Sequence, residues 1–232
     1  TLPARTQIST AAVGADAVVF ETDAPAQLLF KYDQLSIYTW SNLDCCLPAG
    51  ATDTFLVGHQ LNLQTGDYLI FQEVKSPVTG LAADADHSRR QAVQLLRADA
   101  DNDPLTGQDL THVVWRSEDA LLQDFCLTTV CADGRALSGV SVARGNVVPA
   151  SHGESRSQTA TVPVPPPVDG TLCQPPPAPV PQPYQLGLDQ APLTFTTATG
   201  DPRKGHSSAC VTVGAEGVCW EEQRTLLASG PF

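Results

Sequence analysis

Turn-forming residues punctuate the chain at regular intervals, and this punctuation limits the possible folds more than any other feature of the sequence. Between residues 37 and 148, short apolar runs alternate with turns at Pro48 and Gly50 and at Gly66 and Asp67. Glycine and aspartate supply the backbone freedom and local hydrogen bonds that a tight reversal requires. Short strands at this spacing predict a small barrel or sandwich. The predicted fold class is therefore mainly β.

The predicted strands are rich in β-branched and aromatic residues, which favour extended structure. A strand, a turn and a strand are predicted within residues 6–33. In chain order, the later predicted strands are residues 35–40, 54–57, 68–74, 91–96, 112–115, 125–130 and 140–148. The one predicted helical turn covers residues 117–122, with Ser117 as its N-cap.

Proline dominates the chain after the strand-rich region. Ten of the 21 residues from 163 to 183 are proline. Because proline lacks a backbone donor and fixes φ, neither a helix nor a central strand is expected there. An extended, polyproline-like spacer is predicted instead. Residues 210–213 and 218–220 then form a hairpin candidate, whose simple register would set Cys219 opposite Thr212.

Four regions follow from these patterns. Residues 1–35 are predicted as N-terminal strands of a larger protein, and residues 36–152 as a β-barrel or sandwich domain inserted into it. Residues 153–192 form the proline-rich extended linker. Residues 193–232 hold the hairpin and the return to the larger protein.

The charge balance excludes some classes of partner. The 232 residues contain 13 Lys plus Arg against 25 Asp plus Glu, a formal net charge of −12. Such a chain repels phosphate backbones and anionic membrane surfaces, so nucleic acid is not an expected partner. No apolar run approaches transmembrane length and no secretory signal segment opens the chain, so direct membrane insertion is not expected.

The cysteine and methionine counts bear on compartment and completeness. Seven cysteines, with Cys45 and Cys46 adjacent, do not form a tidy disulfide framework. They are interpreted as reduced, buried residues that act as small hydrophobic side chains. There is no methionine, and residues 6–10 already look like a strand. The chain is therefore expected to be a piece of a larger protein.

One enzymatic hypothesis starts from Cys46 and the turn at Gly66 and Asp67. Self-processing hedgehog and intein modules share this turn pattern, but they need a nucleophile at the start of the module. They also need a Thr-x-x-His and, in inteins, a terminal His-Asn, and this sequence contains neither. Gly-x-Ser-x-Gly, phosphate-binding and His-Glu-x-x-His motifs are also absent from the sequence. No catalytic activity and no cofactor are predicted.

The cysteines and histidines can be compared with the ligand pattern of structural zinc sites. Cys126 with Cys131, and Cys210 with Cys219, lack the Cys-x2-Cys spacing of structural zinc sites. The five histidines fall singly at positions 59, 87, 112, 152 and 206. Zinc is therefore not predicted.

The calcium candidate is Asp99-x-Asp101-x-Asp103. A calcium loop of the EF type needs glycine at its sixth position and a bidentate glutamate at its twelfth. This chain has Pro104 and Leu110 there. The three aspartates are interpreted as a solvated acidic loop between two strands.

An ordered series of short motifs resembles one protein family. The motifs are Tyr38-Thr-Trp40, Asp44-Cys-Cys-Leu-Pro-Ala-Gly-Ala-Thr52, Gly66-Asp-Tyr-Leu-Ile-Phe71-x-Glu-Val74, Pro77-x-Thr-Gly80, Asp84-x-Asp86, Asp103-Pro-Leu-Thr106, Trp115-x-x-Glu-Asp-Ala120, Val142-Ala-Arg-Gly-Asn-Val-Val148 and the closing Leu226-Leu-Ala-Ser-Gly-Pro-Phe232. Together they resemble baseplate assembly proteins of contractile, phage-tail-like injection systems, the large wedge subunits related to phage baseplate protein J. The resemblance covers residues 36–152 and the last ten or so.

The resemblance implies a structural role without catalytic residues. Wedge subunits of that family join the sheath to the central hub and take part in triggering contraction. The implied partners are a second wedge protein, the sheath initiator, the hub or spike, and further copies in a ring. The implied location is a particle assembled in the cytoplasm.

The residues that recur in the resemblance are interpreted as turn and core positions. They are Trp40, Cys45, Cys46, Pro48, Gly50, Gly66, Asp67, Phe71, Trp115, Arg144, Gly145 and Asn146. Trp40, Phe71 and Trp115 are expected to be the main packing anchors because large aromatic side chains dominate core energetics.

Two other hypotheses stay open at the level of sequence. The chain could be a secreted or surface β-domain that binds a protein or glycan, with the proline segment as a stalk. It could also be an autoprocessing or hydrolytic enzyme. Mostly paired cysteines would favour the surface domain, and altered processing after substitution of Cys45 and Cys46 would favour the enzyme.

Overall fold

The structure is a computed structural model. It describes residues 1–10, 17–60, 62–131 and 134–159, and a few short pieces beyond them. Those pieces are residues 187, 189, 196–197, 207–208, 210–212 and 219–221. The proline-rich segment predicted to be extended lies outside the described residues. The chain divides into two compact units.

The fold is mainly β, as predicted, and its paired strands are antiparallel. In chain order the strands are β1 (Gln7–Ser9), β2 (Val19–Thr22), β3 (Cys45–Leu47), β4 (Asp53–Val57), β5 (Tyr68–Glu73), β6 (Arg90–Asn102), β7 (Asp109–Trp115), β8 (Phe125–Val130), β9 (Ala136–Ser138), β10 (Ser141–Arg144), β11 (Ala150–His152), β12 (Thr196–Thr197), β13 (Ser207–Ser208), β14 (Cys210–Thr212) and β15 (Cys219–Glu221). Short 3-10 turns lie at Phe30–Tyr32, Ala82–Asp84 and Ser117–Asp119.

The first unit comprises Thr1–Pro3 and Ala24–Pro149. Its larger sheet has the order β10-β5-β6-β7-β4. Strand β6 pairs with β5 through its first half and with β7 through its second, and the register shifts between Leu95 and Arg97. A shift of this kind bends a strand and lets it serve two neighbours.

A second, three-stranded sheet of order β3-β8-β9 completes a sandwich-like unit. Along β5 the burial alternates residue by residue, as expected for a strand with one face on a core. Leu47, Phe125 and Leu127 of the smaller sheet share one buried cluster with the inner face of the larger sheet. The sheets do not close into a barrel. Of the two predicted architectures, the sandwich therefore fits the structure.

Three aromatic rings join the two sheets at the centre of this core. Phe71 on β5 lies 5.1 Å from Trp115 on β7 and 6.2 Å from Phe125 on β8, measured between ring centroids. All three side chains are almost completely buried. Phe71 and Trp115 therefore occupy the anchor positions expected from the sequence.

The strand predicted at residues 35–40 is wrong. Leu35 and Ile37 make only isolated bridges, to Ala143 and Leu56 respectively. The chain then turns, because Trp40 and Ser41 have φ values of 54° and 61° and cannot continue an extended strand.

The helical turn is shorter than predicted and is capped differently. It covers Ser117–Asp119 as a 3-10 turn, and Arg116 rather than Ser117 stands at the N-cap position. The Ser117 hydroxyl donates to the Glu118 carboxylate instead of accepting a backbone N–H as an N-cap side chain would.

The second unit comprises Ala4–Asp23 and Ala150–Phe232. Its best described part is the sheet β1-β2-β11, in which β2 pairs with β1 on one side and with β11 on the other. The first unit is thus nested in the chain between β2 and β11, and residues 24–35 belong to it. In the β14–β15 hairpin Thr212 lies opposite Cys219, the register expected from the sequence.

Candidate interaction surface

Four rings form a continuous strip on the outer face of the larger sheet in the first unit. Phe55 on β4 and His112 on β7 are cross-strand partners, so their side chains share a face. Their rings stack with centroids 4.5 Å apart and planes 12° apart. Trp40 meets Phe55 edge-on at 5.3 Å and Tyr38 at 5.0 Å. Tyr38, Trp40, Phe55 and His112 are called the aromatic strip below.

Trp40 is the exposed member of the aromatic strip. Its side chain is 52% exposed, so the expectation that it anchors the core is wrong. The chain reverses here because the Asn42 N–H donates to the Thr39 carbonyl across Trp40 and Ser41. Two central residues with positive φ define a mirror-image turn that usually carries Asn-Gly.

The turn at Trp40 and Ser41 is strained. A non-glycine residue in the left-handed region costs about 1–2 kcal/mol, and a bulky one there is uncommon. Edge-on ring contacts with Tyr38 and Phe55 offset part of this cost. The fold thus keeps the large apolar ring of Trp40 exposed to solvent, on a backbone conformation that favours glycine.

Replacing Ser41 with glycine is expected to raise the free energy of unfolding by about 0.5–1 kcal/mol. Ser41 is exposed, and glycine removes the strain without removing a ring. Urea denaturation measures the change. The matched control is Ser138→Gly, an exposed serine within strand β9, which is expected to lose stability. Equal losses in both variants would contradict the strained turn.

Carboxylates line the aromatic strip. The His112 ring nitrogen Nε2 lies 2.9 Å from Asp53 Oδ2, which fixes the imidazole against Phe55. Asp99 on β6 is the other cross-strand partner of His112, and Asp101 follows two residues later on the same face. Asp53, Asp99 and Asp101, all exposed, are called the acidic rim below.

One guanidinium stands beside the acidic rim. Arg97 Nε lies 3.5 Å from Asp99 Oδ2, and both side chains are more than half exposed. An exposed pair of this kind contributes little to stability. The rim therefore presents three carboxylates against one guanidinium.

The aspartate triplet is not the acidic loop predicted from the sequence. Asp99 and Asp101 lie within strand β6, and Asp103 is buried in the turn that follows it. Asp103 Oδ2 accepts hydrogen bonds from the Tyr38 hydroxyl at 2.6 Å and from the Thr106 hydroxyl at 2.8 Å. Asp103 thereby ties the aromatic strip to the β6–β7 turn.

These hydrogen bonds shift two pKa values in opposite directions. The Tyr38 hydroxyl first, and then the Leu105 N–H and the Thr106 hydroxyl, lower the pKa of Asp103. The hydrogen bond to Asp103 raises the pKa of Tyr38 above its usual value. The Asp103 contribution to stability is present above its unfolded pKa and is lost as pH falls through the folded pKa. The Tyr38 contribution is present below its unfolded pKa and is lost as pH rises through the folded pKa.

Replacing Tyr38 with phenylalanine is expected to remove a stability contribution that depends on pH. The difference in unfolding free energy between wild type and Tyr38→Phe should be largest between about pH 4 and pH 10. It should shrink in more acidic and in more alkaline solution. Urea denaturation across this range tests it, and a difference that stays constant with pH would contradict the assigned hydrogen bond.

The adjacent cysteines point to opposite faces of β3. Cys45 packs against the core, whereas Cys46 is exposed. Cys126 is half-buried and Cys131 is buried, and these four thiols are free. The expectation that the cysteines are buried is therefore wrong for Cys46, which is free but exposed. Within the described residues, no group of three His, Cys, Asp or Glu is placed to hold a metal ion.

The predicted turn residues shape the loops between strands. Gly50 and Gly66 have φ values of 84° and 94°, which glycine adopts without strain. The Ala51 N–H donates to the Pro48 carbonyl, and the Asp67 carboxylate accepts the Gln64 N–H. These residues shape loops and do not belong to the aromatic strip.

Arg144, Gly145 and Asn146 fasten the segment that precedes the aromatic strip. Arg144 donates to the Asp33 carbonyl at 2.7 Å, and the Gly145 N–H donates to the Tyr32 carbonyl at 2.8 Å. The Asn146 amide both donates to and accepts from the Leu29 backbone. A side chain at Gly145 would press on Tyr32 at 3.3 Å, so close packing explains this glycine.

Sequence reasoning missed most of the aromatic strip. Tyr38 occurs in the motif series and His112 among the single histidines, but Trp40 is the one member that the sequence assigns a packing role, in the core. Phe55 and His112 alternate with buried neighbours along β4 and β7, and that alternation marks both as outward-facing. Phe55 and His112 come into contact through the β4–β7 register, and a window of neighbouring residues does not predict that register.

The comparisons with known proteins give no match: no family model, no curated protein and no solved structure is similar to the chain. No helix within the described residues is long and apolar enough to cross a membrane.

Proposed function

We propose that the chain is a structural assembly module of a baseplate wedge in a contractile, phage-tail-like injection system. In that role it helps link the hub and spike to the sheath and takes part in triggering contraction. The motif series between residues 36 and 152 supports the family, and the aromatic strip supports an assembly role. The proposal includes no catalytic activity and no cofactor.

The observation that carries the assembly role is the exposure of Trp40. Tryptophan and tyrosine are enriched among the few residues that dominate binding energy at protein interfaces. Here the fold presents Trp40 on a strained turn and supports it with two further rings. Strain held in an exposed aromatic position points to use of that position.

The charge around the aromatic strip indicates the chemistry of the partner. The acidic rim and the formal net charge of −12 favour a protein surface that carries lysine or arginine. A guanidinium could lie over the Trp40 ring while it pairs with the rim carboxylates. The proposed occupant is therefore a neighbouring baseplate subunit with a basic patch. A like copy of the same acidic face would be repelled.

A second candidate function is a surface β-domain that binds a protein or a glycan. The same geometry supports it, because a flat exposed ring with carboxylates nearby can stack on a sugar and accept hydrogen bonds from its hydroxyls. It would place the protein on a cell or particle surface rather than within a baseplate ring. The location of the protein therefore separates the two candidates.

Electron microscopy of particles purified from the source cells tests the proposal. The protein that contains this chain carries a small internal tag at an exposed position outside the aromatic strip, such as Leu122, and gold-labelled antibody marks the tag. Label in a ring at the base of a sheathed tube is the expected result. Label on cell surfaces, or sheathed particles without label at the base, would contradict the baseplate role.

A further inference from the structure

Two cysteines from distant parts of the chain face each other across the smaller sheet. Cys46 on β3 and Cys126 on β8 are direct cross-strand partners in an antiparallel pair. Cα atoms of such partners lie about 4.5–5.5 Å apart. A disulfide needs Cα atoms about 4.4–6.8 Å apart. The register alone therefore gives the backbone separation that a disulfide requires.

The side chains of the pair also point the same way. Cys46 lies between Cys45 and Leu47, and both neighbours face the core. Cys126 lies between the buried Phe125 and Leu127 in the same manner. Both thiols thus project from the outer face of the smaller sheet, where the Cys126 thiol donates to the Thr128 carbonyl at 3.7 Å.

We propose that Cys46 and Cys126 form a reversible disulfide across strands β3 and β8, with a low-molecular-weight disulfide such as oxidised glutathione as the oxidant. The structure holds both thiols in the reduced form. This site is separate from the aromatic strip, and the proposal does not depend on the baseplate role.

The exchange proceeds in two balanced steps. The Cys46 thiolate attacks one sulfur of glutathione disulfide, which forms a mixed disulfide and releases one glutathione thiolate. The Cys126 thiolate then attacks the Cys46 sulfur, which closes the protein disulfide and releases the second glutathione thiolate. Two protein thiols lose two protons and two electrons in total, and the glutathione disulfide is reduced to two thiols. Exposure assigns the first attack to Cys46.

The surroundings of Cys126 make the closing step sensitive to pH. Burial, followed by the proximity of Cys46, raises the pKa of Cys126 to about 11 in the reduced pair, and the burial also acts when Cys46 is in the mixed disulfide. Since the thiolate is the nucleophile, closure should be slow near neutral pH and faster as pH rises. The closing rate is expected to increase about tenfold per pH unit while Cys126 stays mostly protonated.

The other two cysteines of the first unit, Cys45 and Cys131, are poor partners for Cys46. Cys45 is its chain neighbour but faces the core, opposite Thr128 rather than Cys126. Cys131 is buried, and its thiol donates to the Val78 carbonyl at 3.4 Å. Cys45 therefore serves as a matched control, because it lies next to the reactive position and on the other face.

Mass spectrometry of the folded full chain tests the pair. After incubation with glutathione disulfide and blocking of free thiols, tryptic peptides 32–75 and 117–135 should be joined, with a loss of about 2 Da relative to the reduced pair. The link should disappear in Cys46→Ser and in Cys126→Ser. It should persist in Cys45→Ser and Cys131→Ser, which identifies the sulfurs because each peptide contains two cysteines.

Three results would overturn the proposal. The first is wild-type protein with no link between these peptides after prolonged incubation at any pH up to about 9, where closure should be about a hundredfold faster than at pH 7. The second is a stable glutathione adduct on Cys46 that never resolves. The third is a link that survives Cys46→Ser. Wild-type protein alone decides the first two results, so a variant that fails to fold leaves the test intact.

Discussion

Replacing Trp115 with alanine is expected to lower the free energy of unfolding of the first unit by about 3–5 kcal/mol. Trp115 is 1% exposed and its ring lies 5.1 Å from Phe71 at the junction of the two sheets. Truncation removes the buried area of the ring and leaves a cavity that the close-packed sheets can fill only in part. Urea denaturation followed by circular dichroism measures the loss.

Trp40→Ala is the matched control for that measurement. The same substitution at a half-exposed position removes ring contacts worth about 0.5–1.5 kcal/mol each. Alanine keeps the left-handed backbone of the turn, so the substitution relieves no strain. The expected loss is about 1–2 kcal/mol, smaller than at Trp115, because the Trp40 ring is half-exposed. Equal losses at Trp115 and Trp40 would contradict the assignment of one to the core and the other to the surface.

The second large effect concerns assembly. Trp40→Ala in the protein that contains this chain is expected to weaken binding of the neighbouring subunit about 30-fold or more. An anchoring tryptophan at an interface is worth about 2 kcal/mol or more, and each 1.4 kcal/mol is a factor of ten in affinity. Quantitative co-sedimentation with purified particles measures the fraction of variant protein that is incorporated.

Two variants control the assembly experiment. Trp40→Phe keeps an aromatic ring on the turn and should retain most of the binding. Leu122→Ala removes an apolar side chain that is 86% exposed and does not belong to the aromatic strip, and it should bind like wild type. Incorporation of Trp40→Ala at wild-type levels would show that the strip is not the docking surface.

The β character of the fold could be predicted because its causes are local. Turns at Gly50 and Gly66 need the backbone freedom of glycine, and the sequence displays that need directly. Burial alternates along β5, and β8 begins with an apolar run, so the hydrophobic pattern predicts both strands. The short strands β3 and β9 carry too few residues to show a period, and sequence reasoning did not assign them.

The errors arose where tertiary pairing overrides local preference. Asp99 and Asp101 disfavour strands intrinsically, yet β7 pairs with β6 along their whole length and the carboxylates point to solvent. Residues 35–40 show strand-like alternation, but the left-handed backbone at Trp40 and Ser41 ends the extended segment. Neither outcome is visible in a window of neighbouring residues.

The candidate sites depend on contacts that only the fold provides. Tyr38, Phe55 and His112 come from three separate segments, and the β4–β7 register brings the last two together. Likewise, Cys45 and Cys46 face opposite ways because adjacent residues alternate along a strand. The sequence offers no sign that Cys126 lies opposite Cys46.

Oxidative footprinting of tryptophan in free and assembled protein shows whether a partner docks on the aromatic strip. Trp40 should be modified readily in the free chain and at least about fivefold more slowly in the assembled particle, because a docked partner excludes water from an anchoring ring. Trp115 is buried in both states and serves as the internal control. Equal modification of Trp40 in the free and assembled states would contradict the aromatic strip as the docking surface.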